Sequence, residues 1–136
     1  MSEKVQIHQF DPVIYPVKLW VGINPTFEQV SEMFYGLNSE IERIDIDREQ
    51  FNMDHFVVAR THTVASKKDG WIGIYVGINK PKMLTTKFIC HESVHCADFI
   101  CEQFGIMSRK FDEGEPYAYL VGWIAECIEK VKLNKL

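Results

Sequence analysis

The chain has 136 residues, of which 46% are hydrophobic and 12% aromatic, and its formal net charge at pH 7 is −4. This length and composition predict one domain over residues 1–136 with a sizeable core, and they exclude a disordered tail. The longest basic run is Lys67-Lys68, so binding to nucleic-acid phosphates is disfavoured and no nucleic-acid partner is expected.

Targeting signals and paired cysteines are both missing from the sequence. The segment MSEKVQIHQF has no apolar h-region, and no stretch of about 18 apolar residues occurs. We therefore expect no signal peptide, no membrane span and a cytoplasmic location. No two cysteines form a CxxC pair, so free thiols in a reducing compartment are expected at Cys90, Cys96, Cys101 and Cys127.

The first part of the chain predicts short strands around one helix. Residues 5–10 and 17–23 have the composition of strands, with prolines between them. Residues 24–38, NPTFEQVSEMFYGLN, predict a helix, because Thr26 and Gln29 have capping-box spacing and apolar residues recur at helical period. Residues 41–46 predict a further short strand.

A hairpin is predicted next. Residues 56–65 and 71–78 flank the turn signal KKDG, which indicates two antiparallel strands. The isoleucines and valine of the second strand alternate with glycines, so one face is apolar. The glycines on the other face leave room for the close approach of another backbone.

Two helices complete the predicted order of elements. The first is expected at residues 86–104, with Thr85 as N-cap and Gly105 just after its end. The second is expected at residues 113–132, with Pro116 in its first turn. Strands, helix, strands and two helices indicate the α+β class, with helices packed on one side of an antiparallel-rich sheet.

The string His91-Glu92-Ser93-Val94-His95 lies within the first of these helices. On an ideal helix His91 and His95 are about 40° apart around the axis, so both imidazoles can reach one zinc ion. Glu92 lies about 100° from His91, beside the pair, where it can act as general base on a water. Apolar residues are expected to form a stripe on the opposite side, which leaves the histidines facing a cleft or the surface; the stripe comprises Ile89, Val94, Ala97, Ile100, Cys101 and Phe104.

A catalytic zinc site usually has three protein ligands, so a third is needed. Cys101 lies in the apolar stripe, and Glu102 lies about 10 Å along the axis from His95, so neither fits. Asp98, one turn after His95, is either a partner that supports the metal site by orienting an imidazole or a neighbouring group, or a solvated charge of the helix.

The other candidates for third ligand are carboxylates of the second long helix. Glu115 is favoured because it shares a helix face with Ala118, Gly122 and Ala125, and such a small-residue stripe permits close approach of two helices. Glu113 is the alternative, and both glutamates are also ordinary acids of a first helical turn.

An HExxH string followed by a glutamate from a downstream helix, here HESVH and then EPYAY, resembles the gluzincin arrangement of zinc peptidases. The segments HESVHCAD and EPYAYLVGWI are also similar to short metallopeptidase-like proteins of phage and prophage genomes. Over residues 70–128 the resemblance implies a small zincin-like domain. It implies Zn²⁺ as cofactor, with His91, His95 and Glu115 as ligands and Glu92 as base.

The resemblance also implies a substrate site. The strand from Trp71 to Asn79 would be an edge strand that binds a peptide or protein substrate as an added strand. Tyr119, one turn after Glu115, is the candidate oxyanion stabiliser and Tyr117 the other choice, although either could simply pack.

Taken together, these features predict a zinc metallopeptidase that hydrolyses a peptide bond with Glu92 as general base. The alternative is a zinc-stabilised phage or prophage interaction protein without turnover, acting in the host cytoplasm. His8, His55 and His62 have no partner at a recognisable spacing and are expected to be structural or on the surface.

Overall fold

A mixed sheet of six strands and four helices forms the part of the chain that the computed structural model describes, residues 7–54, 56–105 and 114–134. The strands are β1 (Ile7–Phe10), β2 (Lys18–Ile23), β3 (Phe34–Leu37), β4 (Arg43–Ile44), β5 (Ala59–Ser66) and β6 (Ile72–Ile78). The helices are α1 (Phe27–Met33), α2 (Arg48–Phe51), α3 (Thr86–Gln103) and α4 (Glu115–Lys132). A short 3₁₀ turn, Pro81–Met83, leads into α3. The predicted α+β class is confirmed.

The strand order is β1-β2-β6-β5-β3-β4, and every neighbouring pair is antiparallel except β2 with β6. Strand β6 therefore pairs on both sides, and the prediction that the strand from Trp71 to Asn79 is an edge strand is wrong. The reason lies in the N-terminal part of the chain, because β2 runs parallel to β6 from Lys18↔Gly73 to Ile23↔Ile78. Almost all of β6 is buried, as expected for an interior strand.

The two faces of the sheet carry separate cores. One face packs against α3 and α4 through a cluster that includes Leu19, Ile74, Ala97 and Ile124. The opposite face carries a smaller cluster to which α1 and α2 contribute; its members include Trp20, Val30, Phe34, Val64, Tyr75 and Phe51. The prediction of helices on one side is correct for the two long helices and wrong for the two short ones.

The hairpin of β5 and β6 confirms the predicted turn and alternation. The Ser66 amide donates to the Trp71 carbonyl at 2.8 Å, and Gly70 takes a positive φ of 77° in the turn. Gly73 confirms the predicted close approach of another backbone. A Cβ built on Gly73 would lie 2.0 Å from the carbonyl oxygen of Lys18 in β2.

The predicted helix over residues 24–38 is too long. Its start is confirmed, because Thr26 and Gln29 form both hydrogen bonds of a capping box. The helix ends at Met33, however, and Phe34 begins β3 by pairing with Ser66 of β5. The Phe34 ring also meets the Trp20 ring edge-on, with centroids 4.9 Å apart. Both contacts join residues distant in sequence, so local helical period could not reveal them.

Helices α3 and α4 begin and end near the predicted residues. Four positions of the predicted apolar stripe of α3 are confirmed as buried and the other two are wrong; the confirmed ones are Ile89, Ala97, Ile100 and Cys101. In α3, Val94 and Phe104 are each 39% exposed, and the buried positions include Glu92, Ser93 and Cys96. In α4, Pro116 lies in the first turn as predicted. The small-residue stripe of α4 is not packed against α3, because Gly122 is exposed and a Cβ on it would meet nothing within 4 Å.

All four cysteines are free, with Cys90 exposed and Cys96, Cys101 and Cys127 buried. Among the described helices, none is long and apolar enough to cross a membrane.

Replacing Gly73 with alanine should destabilise the fold, whereas the same change at Gly122 should not. The new methyl group at residue 73 would collide with the Lys18 carbonyl, and such overpacking costs about 1–3 kcal/mol. Gly122→Ala adds a methyl group in open space within a helix and should stabilise by roughly 0.5–1 kcal/mol. Urea unfolding of both variants measures the difference, and equal effects would contradict the close β2–β6 approach.

Candidate metal and catalytic site

Helix α3 brings His91 and His95 together one turn apart. Their Nε2 atoms are 3.2 Å apart and the two rings are nearly perpendicular, at 79°. Two nitrogens that each lie 2.0–2.1 Å from one tetrahedral zinc ion would be about 3.3 Å apart. The same spacing also allows one Nε2–H group to donate to the other nitrogen. The pair therefore fits two ligands of a single ion, and both side chains are exposed to receive it.

Glu92 lies between α3 and the sheet, and only 7% of its surface is exposed. Its Oε2 atom accepts a hydrogen bond of 2.5 Å from the Thr61 hydroxyl on β5. A buried carboxylate is costly unless its oxygens are hydrogen-bonded, and Thr61 supplies that partner. The result is a carboxylate held beside the two imidazoles.

A cleft of about 470 Å³ opens over these three residues. One wall is β5 and the other is α3; its lining comprises Ala59, Arg60, Thr61, Thr63, Ile74, His91, Glu92, His95 and Phe99. A neighbouring cleft of about 220 Å³ shares Ala59, His91 and Glu92 and extends past Val57 and Phe88. Together the two clefts form a continuous depression along β5.

Strand β5 presents an open edge to this depression. Only Val64 to Ser66 pair with β3, so the stretch from Ala59 to Thr63 is paired with β6 alone. The Ser66 amide points toward β6. Because the backbone N–H and C=O groups of successive residues in a strand point to alternate sides, those of Ala59, Thr61 and Thr63 point away from β6. Within the described residues no backbone group from outside the sheet bonds to them.

Asp98 joins α3 to α4. The Tyr117 hydroxyl donates to Asp98 Oδ1 at 3.0 Å, one helical turn beyond His95. Asp98 thus accepts a hydrogen bond from α4, and a supporting role for Asp98 beside a metal ligand stays a prediction. Tyr117 is the tyrosine of α4 that reaches the end of the histidine face.

Glu115 and Tyr119 do not join the histidine pair. Glu115 is exposed as the first residue of α4, and Tyr119 is 75% exposed. Tyr119 lines a separate apolar groove of about 340 Å³ with Pro12, Ile14, Tyr15, Pro116, Leu120 and Trp123. Over residues 7–54, 56–105 and 114–134, no three His, Cys, Asp or Glu residues are grouped so as to hold an ion. Glu113, the alternative ligand, lies outside these ranges.

The remaining histidines have structural surroundings where they are described. His62 stacks on Phe51 with centroids 3.9 Å apart, and burial, helped by the charge of Arg60, lowers the pKa of His62 to about 4. His8 lies in β1 opposite Val21. Both histidines agree with the prediction that they are structural or on the surface. His55 lies outside the described residues.

Thr61 is the site residue that the sequence did not reveal. Its position in a strand gave no sign of a carboxylate partner 31 residues away. The available signal was the hairpin register, which places Thr61 opposite Val76 on the face covered by α3. Only the packing of α3 on that face shows that Glu92 is the residue it meets.

Comparison of the chain with protein-family models, with curated protein sequences and with solved structures gives no match. No family is therefore assigned through relatives. The function proposed for the chain rests on the contacts between α3 and β5 and on the sequence of α3 itself.

Acid should destabilise the fold partly through His62. Its pKa of about 4 in the folded protein lies below the ordinary histidine value of 6.5, so the unfolded chain binds the proton first as the pH falls. Stability is then complete above about pH 6.5 and falls as pH decreases toward 4, by about 2–3 kcal/mol. His62→Phe keeps an aromatic ring in the stack and should remove this part of the pH dependence. Urea unfolding between pH 4 and 7 measures it, and identical slopes for wild type and variant would contradict the assignment.

Proposed function

We propose that the chain is a zinc-dependent peptidase with a zincin-like site, in which His91 and His95 bind Zn²⁺ and Glu92 is the general base. The observation that carries the proposal is the 3.2 Å separation of the two Nε2 atoms, with the Glu92 carboxylate held in the same cleft. The HExxH sequence on a helix has the spacing that this chemistry requires.

The ion would supply Lewis-acid chemistry to the cleft, polarising a substrate carbonyl and activating water. Each imidazole would bind through Nε2 and carry its proton on Nδ1. Glu92 accepts a proton from the attacking water and delivers it to the leaving amine. Its burial against β5 keeps the carboxylate in place between these two transfers.

The third ligand in this proposal is Glu115, as the resemblance to gluzincins implies. The first turn of α4 would need to shift toward α3 when the ion binds. The Tyr117–Asp98 hydrogen bond already ties that turn to α3 one turn beyond His95, so the shift required is local. We propose no catalytic role for Tyr119, because it lies in the separate groove.

The substrate would be a peptide or protein segment bound along β5. The open edge from Ala59 to Thr63 offers outward N–H and C=O groups beside the histidine pair. An added strand there would be held mainly through its backbone. We propose the edge of β5 as the substrate site in place of β6, because β6 is paired with a neighbouring strand on each side.

A second candidate function is a zinc-stabilised interaction protein without turnover, such as a phage or prophage product acting in the host cytoplasm. The same open edge supports it, because an unpaired strand edge binds a partner strand whether or not cleavage follows. The two functions differ in what they require of Glu92.

Wild-type protein should bind one zinc ion, and His91→Ala or His95→Ala should weaken binding by more than about 100-fold, since the loss of a supporting contact alone costs 10–100-fold. Metal titration calorimetry gives the affinity. His8→Ala is the matched control, because His8 lies on β1 and its loss should leave affinity unchanged. Unchanged affinity in both α3 variants would refute the metal site.

Glu92→Gln should keep zinc and fold but reduce cleavage of fluorescein-labelled casein by about 10²–10⁴-fold, the usual contribution of general acid–base catalysis. Glu102→Gln changes an exposed glutamate of the same helix and should have no effect. A zinc-loaded wild type with no cleavage above the Glu92→Gln background would favour the interaction protein.

A further inference from the structure

Glu92 is the one charged residue among the buried positions of α3. The other buried positions of the helix are apolar or small: Ile89, Ser93, Cys96, Ala97, Ile100 and Cys101. A carboxylate rarely occupies such a face unless a partner is built for it. The hydrogen bond from Thr61 at 2.5 Å satisfies Oε2. Oε1 has no hydrogen bond within the described residues, and Glu92 lines the cleft.

Thr61 is suited to hold one orientation of this carboxylate. It lies in the middle of β5, paired with Val76 of the interior strand β6, so its backbone is fixed. A β-branched side chain on a strand has restricted rotation about χ1. The hydroxyl therefore points at Glu92 without a large loss of side-chain freedom.

We propose that Thr61 is a positioning residue for the general base: its hydrogen bond to Oε2 fixes the Glu92 carboxylate and leaves Oε1 facing the cleft. This inference rests on the proposed function for its catalytic consequence. Its structural part, the orientation of Glu92, holds with or without turnover. Thr61 touches neither substrate nor metal through its side chain in this role.

The first test measures the orientation of Glu92 without metal or substrate. In crystal structures, Glu92 should occupy a single rotamer in wild type and in Thr61→Ser, and more than one rotamer in Thr61→Val. Thr63→Val is the matched control, since it makes the same change on the same strand face and should leave the single rotamer in place. A single, unchanged Glu92 rotamer in Thr61→Val would overturn the proposal.

If Thr61→Val does not fold, Thr61→Ala removes the same hydroxyl with a smaller side chain. Glu92 should then occupy more than one rotamer in the crystal structure of Thr61→Ala and a single one in that of Thr61→Ser. The same single Glu92 rotamer in both variants would overturn the proposal.

The second test concerns the catalytic consequence. With casein as probe, Thr61→Val should lower kcat by about 10-fold or more, with KM and zinc affinity unchanged, and Thr61→Ser should restore most of kcat. A loss that appears in KM, or that serine does not restore, would overturn the positioning role. If wild type cleaves nothing, the proposed function fails, whereas the crystallographic results still decide the orientation of Glu92.

Discussion

The hydrogen bond between Thr61 and Glu92 is the contact on which the site depends, because it joins the helix that carries the histidines to the strand that borders the cleft. A buried carboxylate without a partner would be expelled toward solvent or protonated. With Thr61 in place its Oε2 atom has a hydrogen-bond partner beside His91 and His95. The apolar cluster that packs α3 on the sheet brings Glu92 within reach of Thr61, so the site geometry follows from the packing of the helix.

The position of β6 decides which strand borders the cleft. Because β2 pairs with β6 in parallel, β6 has no free edge, and the unpaired strand edge nearest α3 belongs to β5. Strand β3 pairs with only the end of β5. The uncovered stretch from Ala59 to Thr63 therefore lies beside the histidine pair. Gly73 makes this arrangement possible, since any side chain there would collide with the Lys18 carbonyl.

Local signals in the sequence predicted much of the fold. The capping box of Thr26, the hairpin turn at Gly70 and the place of Pro116 in the first turn of α4 depend on neighbours within a few residues, and all were correct. The extent of α1 and the interior place of β6 were wrong. Both depend on pairing between distant residues, which local period and turn residues do not encode.

The sequence by itself determined that two imidazoles share one helix face, because helical geometry fixes residues four apart at one turn. It also determined that Glu92 lies beside them. The tertiary structure decided the rest. Glu92 is buried between α3 and the sheet and hydrogen-bonded to Thr61, and the small-residue face of α4 points away from α3. Glu115 and Tyr119 lie apart from the histidines. The summed packing of all their side chains sets which faces of two helices meet. A stripe of small residues on one helix therefore does not predict which face will meet the other helix.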